Sequence, residues 1–355
     1  MTRAELRERL EAAVLPPVVA LLGALIAGDL LILAVGQSPA AVYRLLLDGT
    51  WGNWYGFGQV LYKTTTLIAT GLAVSVGLRA GLFNIGAEGQ LAAGGFAAAV
   101  AGLVLPAGTP AAIALLLCAA AAMIAGGAVG WVPGALRARF GAHEVITTIM
   151  LNFIVLALLN WVIVAHLRIP ETLHTPPVRA GAMPRLADAW AAFHGSAANF
   201  TLVILVAAAA WAWWFLFRTR SGYDLRAVGM QPPAAEAGGV RVSATWMRAL
   251  TISGALAGLG GINFVLGYKH YYEEGFAGGA GFLGIAVALV GRNHPAGVVL
   301  AALFFATLSQ GGLAVNALVP KQLVEVLQGV IILAVAASVP EVRRAILANR
   351  RSGEP

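Results

Sequence analysis

Along almost its whole length the chain returns to apolar runs on the order of 20 residues, separated by short stretches rich in glycine, proline or arginine. Hydrocarbon offers a backbone no hydrogen-bond partner. A run of that length must satisfy its own amides, which an α-helix does within itself. Composition agrees: 11% of the 355 residues are charged and 59% hydrophobic, with mean hydropathy +0.81, where soluble domains carry roughly 25% charge. The fold class is therefore all-α. The sequence predicts a polytopic integral membrane protein of about ten transmembrane helices, one of them broken or re-entrant.

Apolar length and the positions of Pro, Gly and charge put spans near 16–36, 60–78, 84–105, 111–133, 145–166, 200–217, 249–267, 296–314 and 322–339. A piece at 282–291 is too short to cross as a full helix and reads as re-entrant or broken. After the first span comes a loop with Tyr43, Arg44 and Asp48, then Trp51, Trp54 and Tyr55, whose rings suit a membrane interface. A polar, proline-bearing loop at 167–199 reads as an external cap. With the N-terminus inside and ten crossings, sixteen of the 23 basic residues fall inside and seven outside, which puts both termini in the cytoplasm. The expected organisation is a cytoplasmic segment 1–15, a transmembrane domain 16–340 and a cytoplasmic tail 341–355. The long run behind the charged N-terminal lead does not look like a cleavable signal. Spans two to five and seven to ten would form two inverted four-span units, as transporters often do.

Composition also excludes. The charge of +7 sits in loops and tails, so it does not point to nucleic acid. The single cysteine, Cys118, rules out an internal disulfide and a cysteine zinc cluster. No G-x-x-x-x-G-K-[ST], H-E-x-x-H or G-x-S-x-G is present, so no catalytic residue, metal site or nucleotide loop is expected in this chain.

Four stretches carry the chemistry. The loop 218–248 holds Arg218, Arg220, Arg226, Arg241 and Arg248, too polar for hydrocarbon. Within it, 231–239 reads as a short helix, with Pro232 in the first turn and Gly238 and Gly239 at the end. It is either a solvated connector or a contact for a cytoplasmic partner. The second stretch is GLFNIGAEGQ, where Asn84 is placed to N-cap the third span and Glu88 and Gln90 fall in its first turns. A capped turn and a broken helix lining a polar pathway both fit. Third, Asn152 and Asn160 lie eight apart on one face of the fifth span, and Asn263 and Gln310 extend the polar set. Each amide can bond a neighbouring helix, while together they suit a neutral, hydroxyl-rich solute better than an ion. The fourth is 281–295, where Gly291 ends a short helix and Pro295 starts the next, with His294 a loop residue.

Together GLFNIGAEGQ, TTIMLNFIVLALLNW and GFLGIAVALVGRNHPAGVVLAALFF resemble the membrane permease subunits of bacterial ABC importers. The branch is the one for nucleosides and simple sugars, within the ribose and branched-chain amino-acid permease superfamily. SGYDLRAVGMQPPAAEAGGV resembles that family's coupling loop, and the likeness runs from about Leu61 to Ala337. It implies alternating access in the cytoplasmic membrane and a set of partners. These are a cytoplasmic ABC ATPase that hydrolyses the ATP, a second permease subunit (the same chain or a related one) and a substrate-binding lipoprotein or periplasmic protein. It further implies coupling through Gly222, Asp224, Arg226, Gly229, Pro232, Glu236 and Gly239, and a solute pathway past Asn84, Glu88, Gln90, Asn152 and Asn263. The family often has Asn where this chain has Gln231, and a polar residue where it has Leu283. The cargo implied is a nucleoside or nucleobase, with a pentose or hexose as the alternative. An ion-coupled transporter using Asp29 and Glu88 is a further rival.

Overall fold

The structure, a computed structural model, describes residues 22–333 apart from Ala24, Arg168 and Lys321. The segment 1–15, the start of the first span, the end of the last and the tail 341–355 lie outside the described residues. The helices are α1 (Leu25–Ala34), α2 (Pro39–Thr50), α3 (Trp54–Arg79), α4 (Ala87–Val104), α5 (Ala111–Phe140), α6 (Glu144–Val162), α7 (Leu186–Ala189), α8 (Thr201–Arg218), α9 (Arg220–Met230), α10 (Pro232–Ala237), α11 (Val242–Gly260), α12 (Ile262–Val265), α13 (Ala280–Val290), α14 (Pro295–Ala314) and α15 (Gln322–Leu333). Among the described residues no strand forms; two isolated bridges, His174 with Glu273 and Arg185 with Asn199, tie the polar loops. Among the described residues seven helices are long and apolar enough to cross a membrane. The pair α1–α2, bent by 111°, makes eight if it is one span.

The segment after the first span is not a loop. Pro39 at the first helical position starts α2, because its fixed φ and missing N–H cost nothing there. The three aromatics beyond it are exposed, as an interfacial group should be. Nor does α5 stop at Pro133; that residue is buried inside the helix, which runs on to Phe140 and ends at left-handed Gly141. Membrane helices tolerate proline because neighbours re-satisfy the freed carbonyl.

The residues fall into two compact units. In the smaller one, built from the described residues up to Asn53 and from Thr307 on, Ile32, Val42, Val315, Val319 and Val324 form a core. Tyr43 donates to Asp29 across the α1–α2 bend (2.8 Å). The larger unit, Trp54–Ala306, is organised by a glycine seam between α5 and α11. A Cβ at Gly126 would meet the Gly254 carbonyl, one at Gly130 the Leu250 carbonyl, and one at Gly258 the Ala122 carbonyl. Gly94 and Gly261 bring α4 and the α11–α12 break equally close. In lipid no water is expelled when helices meet, so backbone-to-backbone packing of this kind is the available driving force.

Candidate functional site

The stretch between α3 and α4 is where the bundle departs from regular helix. Residues 83–85 carry no helical hydrogen bonds, yet Asn84 is buried, as is Gly86 beside them. The face of α6 that meets them carries a polar side chain every fourth residue. Glu144 Oε1 accepts from the Phe83 amide (3.4 Å), and Thr148 Oγ1 accepts from the Ile85 amide (3.3 Å). Asn152 Oδ1 accepts from the Gly89 amide (2.9 Å) while its Nδ2 donates to the Ile85 carbonyl (2.9 Å). Glu144 is in turn paired with Arg137 (2.5 Å), whose guanidinium lies over Trp246. The irregular backbone is thus laced to α6, which is what permits it at membrane depth. Asn160, on the same face farther along, keeps a buried Oδ1 with no partner.

Asn84 does not cap α4; Gly86 holds that position without a side-chain bond. The extended chain carries Asn84 past the cap, so its Oδ1 takes the Gly86 amide (2.8 Å) and its Nδ2 reaches both Gln90 (2.8 Å) and Ser253 (2.7 Å). Ser253 passes the link to the Ala73 carbonyl (2.5 Å). One polar chain therefore joins α3, α4 and α11.

Glu88, 7% exposed, points the other way. Its two oxygens accept from the amides of Gly279 (2.8 Å) and Gly281 (2.7 Å) at the start of α13. The carboxylate lies in the first turn of α4 and closes the first turn of α13, where the positive ends of both helix dipoles favour it. A Cβ at Gly281 would strike the Glu88 amide, so glycine is required for the two helix starts to meet. Asn263 belongs to a separate cluster. It donates to the Tyr62 carbonyl (2.9 Å) and to Thr66 (2.9 Å), and its Oδ1 accepts from Asn199 (2.9 Å). Of the five expected pathway residues, Asn84, Gln90 and Asn152 are brought together on the 83–90 segment and Glu88 adjoins them, whereas Asn263 stands apart. Among the described residues no group of three or more metal-binding side chains occurs.

The loop 218–248 is mostly helix. The short helix expected at 231–239 is α10, but it is preceded by α9, and α11 begins at Val242. Gln231 ends α9 and opens α10 without a side-chain cap bond, as suits a residue that caps less well than the Asn common in the family. Gly239 is left-handed (φ 84°), as the glycine pair implied. The elbow is held by Val228, Ala235 and Val242. Gly222 lies against the Phe215 carbonyl and Gly229 against that of Arg79, so both are positions for close backbone approach. Asp224 shares with Arg220, Arg241 and Arg248 a groove of about 440 Å³. Arg226 turns toward Phe217, whereas Glu236 is exposed on α10.

A bundle of apolar spanning helices with a laced helix break and a two-helix elbow packed on α3 and α8 fits a transport protein's membrane subunit. The chain belongs to the family described as "Branched-chain amino acid transport system / permease component", whose model matches residues 56–336. It is 38% identical to the guanosine ABC transporter permease protein NupP of Bacillus subtilis, over 91% of this chain and 93% of that one. It is 33% identical to the nucleoside ABC transporter permease protein NupB of Lactococcus lactis (91% and 90%). It is also 33% identical to the glucose ABC transporter permease protein TsgB13 of Haloferax volcanii (89% and 85%). No solved structure matches the chain. It is a multi-pass membrane protein, a permease subunit rather than an enzyme.

Proposed function

We propose that this chain is the translocation subunit of an ATP-driven importer of nucleosides or nucleobases in a bacterial cytoplasmic membrane, with both termini cytoplasmic. The observation that carries the reading is the meeting of two helix starts, α4 and α13, on the Glu88 carboxylate inside the bundle. Helix starts that meet in this way are what two inverted four-span units, α3–α6 and α11–α15 within a ten-crossing chain, would produce. Asn84, Glu88, Gln90, Asn152 and Asn263 then serve as the polar wall of the passage, holding its backbone open rather than gripping solute. Weak contact with the cargo suits a passage that must also release it.

The same reading gives the elbow its partner. A cytoplasmic ABC ATPase hydrolyses the ATP and pushes on α9–α10, with Gly222 and Gly229 keeping α9 against α8 and α3 while Asp224, Arg226, Pro232, Glu236 and Gly239 shape the contact. A second permease subunit and a substrate-binding lipoprotein or periplasmic protein complete the complex. The names of two relatives favour a nucleoside, and that of a third keeps a hexose as the second reading. An ion-coupled mechanism is disfavoured because both Glu88 oxygens are already engaged by amides. The test is reconstitution with the co-purifying ATPase and binding protein, followed by uptake of labelled guanosine and glucose. ATP-dependent guanosine uptake is expected. Glu236→Arg should leave the protein inserted and ATP hydrolysed but uncouple uptake. Uptake that runs on an ion gradient without ATP would overturn the proposal.

A further inference from the structure

We infer that Arg79 and Arg226 form a receptor for a carboxylate side chain of the ATP-hydrolysing partner, and that this site ties the α9 elbow to the far end of α13. The inference rests on the reading of the chain as an ATPase-driven permease.

Phe217, near the end of α8, gathers three groups around its ring. The Arg79 guanidinium lies 5.4 Å from the ring centroid and that of Arg226 lies 5.2 Å from it. The His294 imidazole stacks on the same ring at 5.5 Å. Each cation gains from the π face, but two guanidiniums on one ring repel one another, and no carboxylate pairs with either among the described residues. Arg226 Nε is buried without a hydrogen-bond partner. Arg79 spends its Nε on the Asn293 carbonyl (2.9 Å). Buried donors are normally satisfied, so a half-buried pair of cations with an orphaned N–H is suited to take an anion.

The surroundings select the class of anion. Arg79 ends α3, the most enclosed of the spanning helices. The Arg79 carbonyl is covered by Gly229 of α9, where a Cβ would collide with it. A protein surface that docks on α9–α10, where Tyr223, Met230 and Glu236 are exposed, would bring a carboxylate beside the partly buried Arg226, which shares the Phe217 ring with Arg79. Guanidinium forks suit carboxylates because they can bind both oxygens at once. Filling the site would remove the repulsion and clamp α9 to the α3 end. Through the Arg79–Asn293 bond it would also fix the α13–α14 turn, where Arg292 and Asn293 both adopt left-handed backbone (φ 55° and 53°). With Glu88 closing the other end, α13 would be held at both termini, one of them answering to the partner.

The experiment measures binding of the purified ATPase to the full-length permease in nanodiscs of neutral lipid across a salt series. Arg79→Gln and Arg226→Gln should each weaken binding by about tenfold or more and flatten its salt dependence. Arg226→Lys, which keeps the charge but not the fork, should retain the salt dependence and recover only part of the binding, and thermal melting of each variant identifies any that fails to fold. Unaltered ATPase affinity and salt dependence in both folded Gln variants would overturn the assignment. So would a loss of phosphatidylglycerol binding, in anionic nanodiscs, with ATPase binding intact. If the wild type binds no ATPase at all, the functional reading fails instead.

Discussion

Replacing Glu88 by alanine tests whether one carboxylate holds the two helix starts together. Both of its oxygens are engaged, at 2.8 and 2.7 Å, and the side chain is only 7% exposed. Alanine leaves the Gly279 and Gly281 amides without an acceptor, and each such loss costs about 1–3 kcal/mol, or ~2–6 kcal/mol for the pair. Glutamine keeps one oxygen but turns an NH₂ toward the second amide, so it should lose roughly half of that. Thermal melting of the purified permease, read by tryptophan fluorescence, should fall on the order of 10 °C for Glu88→Ala, with Glu88→Gln between it and wild type. Hydrogen exchange supplies a local readout. A peptide covering 275–284 should exchange about tenfold or more faster at those two amides in the alanine variant, since ~1.4 kcal/mol is a factor of ten. If both variants melt with wild type and exchange in this peptide is unchanged, the carboxylate is not the clasp. The meeting of α4 and α13 would then need another cause.

Other expectations follow from the same geometry. Asn152→Leu removes both a donor and an acceptor from the 83–89 segment and should cost about 2–5 kcal/mol; Asn160→Leu, whose Oδ1 has no partner, should be within about 1 kcal/mol of wild type in the same melting assay. Gly126→Ala drives a methyl into the Gly254 carbonyl and should cost about 1–3 kcal/mol or prevent monodisperse purification. Its neighbour Gly127→Ala meets nothing closer than 3.4 Å and should be neutral or slightly stabilising. Burial, and secondarily the charge of Arg185, hold the His270 imidazole below its ordinary value of 6.5. The folded protein therefore prefers the neutral ring, its contribution being full above pH 6.5 and lost as pH falls through the lower folded value. Melting temperature should drop between pH 8 and pH 5 by more in wild type than in His270→Asn.

Much of this was legible in the sequence because membrane depth is written in length. The long runs located α3–α6, α8, α11 and α14, although α3 starts six residues before its expected span, α5 runs seven residues past its own and α11 begins seven residues early, and Gly291 and Pro295 bound the α13–α14 turn as helix-stop and helix-start chemistry demands. What escaped was structure whose signal is short or shared. Helix α9 was hidden because an arginine-rich stretch reads as loop when only hydrophobicity is weighed, although Thr219 ahead of it is a sound N-cap that accepts from the Gly222 amide. The α5–α11 seam could have been found from the four-residue spacing of Gly126, Gly130 and Gly134 against Gly254 and Gly258. The i, i+4, i+8 series Glu144, Thr148, Asn152 was visible too, but nothing in a sequence says that its partner is another segment's backbone. The clasp of Glu88 on α13, 191 and 193 residues away in the chain, lay beyond any local pattern.

The glycine seam has a mechanical corollary. Where bare backbones touch over successive turns, neither α5 nor α11 can roll or slide without forcing a carbonyl into a methylene. The two must travel as one beam, whatever strokes the transport cycle makes. Flexing is left to the joints hung from that beam: the glycine break after α11, the elbow, and the short α13.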